Sequence, residues 1–91
     1  MIDPPYHPPV KRSVVIAGHK TSISLEPVFW QMLRDAAAAQ GVPINALVAQ
    51  IDEQRITSPT PPGLAGALRI WLVAQLMADT KRAAPTDRAA P

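Results

Sequence analysis

Eleven prolines in a chain of 91 residues mark where regular structure has to stop. Four fall within residues 4–9, none within 10–26, and none within 63–84. Proline fixes φ, lacks an N–H and pushes the residue before it into an extended conformation. Residues 1–10 therefore read as an extended, polyproline-like arm. Residues 57–63 (TSPTPPG) read as a linker between two foldable stretches, 11–56 and 64–82, and residues 83–91 (AAPTDRAAP) as a flexible tail. Setting these aside leaves about 65 residues, and a domain of that size buries only about 60% of its unfolded surface. The chain has no cysteine, so neither a disulfide framework nor a Cys-based zinc site can make up the difference. Association with a partner, most simply a second copy, is expected. An enzyme with its own enclosed pocket is not.

Hydrophobic residues make up 47% and charged residues 18%, too apolar for a wholly disordered protein. No run approaches the roughly 18–20 apolar residues that a membrane-spanning helix needs. The start, MIDPPYHPP, lacks the basic-then-apolar pattern of a signal peptide, so a cytoplasmic location is expected. The formal charge of +2 divides into +2 for residues 1–25, −2 for 26–56 and +2 for 57–91. This modest basic excess at the two ends permits a nucleic-acid partner.

Within SVVIAGHKTSISL, residues Thr21, Ile23 and Leu25 alternate with Ser22 and Ser24, the period of a half-buried strand. Gly18-His19 divides that segment in one of two ways. It is either a tight turn that makes residues 13–25 a hairpin, or a kink in one long strand. At Glu26-Pro27 the period changes to that of a helix, with proline well placed at the first helical position. Phe29, Leu33, Ala36, Ala37 and Gln40 follow one stripe, and Gly41 supplies the left-handed stop. A second helix is expected from near Pro43 to Arg55-Ile56, with Leu47, Val48 and Ile51 on its apolar face. A third runs from Leu64 to about Lys81. It carries one stripe of Leu64, Leu68, Trp71, Leu72 and Leu76, and another of Ile70, Val73, Ala74 and Met77. A helix that is apolar on two sides needs cover on both. It lacks the Lys/Arg-rich polar face of a membrane-surface helix, so a protein rather than a membrane is expected to cover it.

The run KTSISLEPVFWQMLRDAAAAQGVPINALVAQID, one strand and two helices joined by a glycine turn, resembles the ribbon-helix-helix family of Arc-type and MetJ-type repressors. More narrowly, KRSVVIAGHKTSISLEPVFW followed by a later hydrophobic helix resembles a small bacterial subgroup with an added upstream strand segment. The resemblance implies a homodimer, mainly α, in which strands from two chains pair antiparallel into a two-stranded ribbon, here with an additional C-terminal helix. Thr21, Ile23 and Leu25 would point into a shared core, while Lys20, Ser22 and Ser24 would face the major groove of duplex DNA. Asn45 and the start of the second helix would hold a phosphate, and Lys11 and Arg12 would add backbone contacts. Ile23 and Leu25, with Ile70, Trp71, Val73 and Met77 of the third helix, are the candidate dimer or partner-interface residues. Trp71 also suits a plain core role, while for Trp30, next to Phe29, the edge of the core and an interface are both open.

His7 and His19 have no cysteine or carboxylate cluster near them, so no metal site is expected, and no cofactor. Asp52-Glu53 occupies adjacent helical positions that point about 100° apart, which suits a solvated face better than acid–base chemistry. Two functions follow. The leading one is a small DNA-binding transcriptional regulator acting by binding alone. The other is a non-catalytic accessory subunit that uses the same dimer, the third helix and the proline-rich arm to hold a larger protein assembly.

Overall fold

The structure is a computed structural model and describes residues 6–83. Residues 1–5 of the proline-rich arm and 84–91 of the tail lie outside the described residues. The order of elements is β1 (Val10–Ile16), β2 (His19–Leu25), α1 (Pro27–Gln40), α2 (Ile44–Ile56) and α3 (Leu64–Ala83).

The choice between hairpin and long strand is settled as a hairpin. β1 and β2 pair antiparallel from Val10↔Leu25 to Ile16↔His19, with Ala17 and Gly18 as the two turn residues. Both have positive φ, +50° at Ala17 and +81° at Gly18, as a type I′ hairpin turn requires. Glycine takes that conformation freely, while alanine is strained in it. A two-stranded antiparallel ribbon is thus formed within the single chain.

The hairpin changes what α1 must cover. Trp30, Leu33 and Ala37 are its buried residues, and Phe29 is only half-buried. Leu33 and Ala37 lie on the expected stripe, while at its start Trp30 is innermost in place of Phe29, toward the added strand. Trp30 lies beneath β1, donates its Nε1–H to the Val10 carbonyl at 2.9 Å, and has the Arg12 guanidinium 5.7 Å above its ring. Phe29 instead carries Arg69 over its ring at 5.7 Å.

Helix ends follow local chemistry. Pro27 opens α1, and Gly41, at φ +70°, closes it with its N–H turned back to the Ala37 and Ala38 carbonyls. Pro43 stands just before α2 and accepts from the Ala46 and Leu47 amides. After α2, Arg55 holds Asp52 at 2.8 Å and donates to the Pro62 carbonyl at 3.1 Å, which pins the linker. One core then gathers Val14, Ile23 and Leu25 from the hairpin with Leu33, Leu47, Val48, Ile51, Leu68 and Leu72 from the helices. Burying each such side chain stabilises the fold by about 1.5–3 kcal/mol. From Val73 onward every residue of α3 with a described side chain is exposed, so Leu76, expected on the inner stripe, faces solvent.

Arg69 of α3 binds Glu26, the residue before α1, at 2.9 Å. Glu26's carboxyl is held below its ordinary value of 4.5, first by its own backbone amide and then by the Arg69 hydrogen bond. A carboxyl with a lowered folded-state pKa contributes stability above 4.5 and loses it as pH falls through the folded value. Thermal melts should therefore show stability falling below pH 4.5, with a shallower fall in Arg69→Met. At the turn, Ala17→Asn should raise stability by about 0.5–1 kcal/mol in denaturant titrations, because asparagine tolerates the left-handed region.

Candidate nucleic-acid interface

Strand alternation sorts the ribbon into two faces. The inner face presents Val14, Ile23 and Leu25, all buried, to the helices. The outer face carries three directly opposed pairs: Lys11↔Ser24, Ser13↔Ser22 and Val15↔Lys20. All six are exposed except Ser24, which is half-buried. Lys11 and Lys20 occupy opposite ends of this face, about 14 Å apart along the ribbon at 3.4 Å per residue, with Ser24 opposite Lys11 and the Ser13↔Ser22 pair in the middle.

Of the residues expected to contact DNA, Lys11, Lys20, Ser22 and Ser24 are brought together on this face. Arg12 is not. It projects from the opposite face, over Trp30. Ser13 and Val15 join the surface although strand alternation in 20–25 alone does not reveal them. Their positions follow only once β1 is paired to β2.

Asn45 stands in the first turn of α2, where it was expected. Its Oδ1 accepts the Val15 backbone N–H at 3.2 Å. In a two-residue hairpin the pair closing the turn, Ile16↔His19, shares its hydrogen bonds, and pairs then alternate. Val15 belongs to a pair whose backbone groups point outward, and Asn45 meets one of them at the outer edge of β1. The matching outward groups of Lys20, Ser22 and Ser24 have no hydrogen-bond partner among the described residues. Along the β1 edge α2 thus holds one amide, that of Val15, while the outward groups of Lys11 and Ser13, like those of β2, have no hydrogen-bond partner among the described residues.

The candidate interface residues divide as well. Ile23 and Leu25, expected in a core shared between chains, are 4% and 0% exposed within this chain's own core. Trp71 is half-buried beside Leu72. Ile70 and Met77 are 63% and 66% exposed, and Val73 is exposed too. His19 is exposed at the turn. No group of three or more side chains able to hold a metal occurs among the described residues, nor is any described helix long and apolar enough to cross a membrane.

A family model described as a ribbon-helix-helix domain matches residues 9–76, about three-quarters of the chain. The chain belongs to the ribbon-helix-helix domain family. The match spans the hairpin, α1, α2 and the half of α3 that packs on the core, so the ribbon-helix-helix domain includes more here than one strand and two helices. No curated protein and no solved structure matches the chain.

Replacing Asn45 with alanine should leave the fold intact and speed hydrogen exchange at the Val15 amide by about fivefold, since one exposed hydrogen bond contributes about 1 kcal/mol. The measurement is a comparison of amide exchange in the two proteins by NMR.

Proposed function

We propose that this protein is a small DNA-binding transcriptional regulator that works as a homodimer in the cytoplasm, without turnover. The observation that carries the reading is the outer face of the ribbon, two lysines and three serines on a rigid two-stranded support whose other face is the hydrophobic core. In this mechanism two copies join β2 to β2 along their open edges. The paired β2 strands, with Lys20, Ser22 and Ser24 from each chain, enter the major groove, which is about 12 Å wide and admits two strands. The β1 strands flank them, about 14 Å apart across four strands spaced at 4.8 Å, and Lys11 from each lies over a phosphate backbone. Ser22 and Ser24 hydroxyls both donate and accept, so they read base edges permissively. Asn45 keeps its amide nitrogen for a phosphate while its oxygen holds Val15.

A dimer carries a formal charge of only +4, so affinity depends heavily on few cations. Lys20→Ala should weaken binding to duplex fragments and lower the log–log salt slope by about 2 per dimer, one contact from each chain. Fluorescence anisotropy at several salt concentrations reads both. Undiminished binding by a Lys20→Ala, Ser22→Ala, Ser24→Ala variant would overturn the ribbon mechanism. A monomer at micromolar concentration in sedimentation runs would overturn the joining of β2 edges.

The exposed Ile70, Val73 and Met77 favour a second reading, an accessory subunit that docks α3 on a larger protein assembly. Under that reading, Met77→Glu abolishes capture of a stoichiometric partner and Lys20→Ala has no effect on it.

A further inference from the structure

Between the C-terminal half of α1 and the middle of α3 lies a groove of about 320 Å³. Met32 and Ala36 of α1 and Trp71 and Leu72 of α3 form its apolar floor, with Asp35 on one wall and Asp79 on the other. No lysine or arginine lines it. This is the reverse of the ribbon's chemistry in a chain that is basic as a whole.

The two carboxylates differ in how far they are already satisfied. Asp35 accepts a hydrogen bond from the neutral Gln31 amide at 2.9 Å and has no ion-pair partner among the described residues. Asp79 meets Arg82 at 3.3 Å, with both side chains more than half exposed, a geometry in which solvent screens most of the attraction. The groove thus combines an uncompensated negative charge, a second one weakly compensated, and a tryptophan whose ring face attracts cations.

Size narrows the occupant. The volume lies at the lower end of small-molecule sites, and an apolar floor flanked by two carboxylates calls for a ligand that is both apolar and positively charged. We propose that the groove between α1 and α3 binds small hydrophobic organic cations, with the apolar body on Trp71, Leu72 and Met32 and the positive charge facing Asp35 and Asp79. The site is separate from the ribbon, and the proposal stands whether or not the ribbon binds DNA.

Tetraphenylphosphonium and tetraphenylborate are nearly identical in shape and opposite in charge, so together they separate charge selection from greasy adhesion. The full chain is titrated with each, following tryptophan fluorescence and, in parallel, heat. Tetraphenylphosphonium should bind with a fluorescence change that Trp71→Phe removes, and tetraphenylborate should bind the same site about tenfold more weakly. In an Asp35→Asn, Asp79→Asn variant the two ions should become nearly equal. Both aspartates are exposed, so the variant keeps its fold, and a thermal melt verifies this. Equal binding of the two ions to the unaltered protein, cation binding that ignores the double substitution, or no heat with the cation up to millimolar concentration would each overturn the proposal.

Discussion

The antiparallel pairing of β1 with β2 is the contact on which the other elements depend. Without β1, the strand ending at Leu25 would leave its ladder groups unpaired, and only another chain could satisfy them. With it, seven residues on each side are matched in register, and the hairpin presents a continuous apolar face to the helices. α1 meets that face through Trp30 rather than Phe29, and the indole N–H reaches Val10 at the far end of β1. α3 completes the enclosure with Leu68 and Leu72, and its Arg69 grips Glu26 at the junction of β2 and α1. A domain of this size thereby closes a core of its own in a single chain.

Much of this could be read from residue spacing. The alternation of Thr21, Ile23 and Leu25 with two serines reports a half-buried strand, and Pro27, Gly41 and Pro43 bracket the helices by simple backbone chemistry. What could not be read was which strand would pair with which. Ala17 is an unusual residue for a left-handed turn position, and the familiar Asn-Gly signal is absent. Pairing in turn determined the rest. Val15 and Ser13 join the outer face, Arg12 leaves it, and Trp30 replaces Phe29 as the innermost aromatic of α1, only because β1 lies beside β2. Periodicity within a helix identifies a stripe, but the neighbour decides which edge of that stripe is innermost. The same holds for Leu76, whose spacing matches Leu72 and Leu68 although it stays exposed at the groove between α3 and α1.

Charge is distributed with the same economy. The outer ribbon carries two lysines per chain, whereas the groove between α1 and α3 carries two aspartates. Three arginines, by contrast, tie parts of the fold together. Arg55 clamps the linker, Arg69 joins α3 to α1, and Arg12 covers Trp30. Guanidinium groups suit these tasks because they are planar and can donate along several directions at once. The lysines, long and strongly hydrated, are left to the surface.

The Asn45–Val15 contact has a bearing on assembly. A sheet with two open edges can keep adding strands, the route by which small β proteins form fibres. Here α2 stands against β1, and one asparagine oxygen already holds an amide that a newcomer would need. In the proposed joining of β2 to its own copy, that edge is used up in both molecules, and the pair ends on two β1 edges, each with one amide already taken by Asn45.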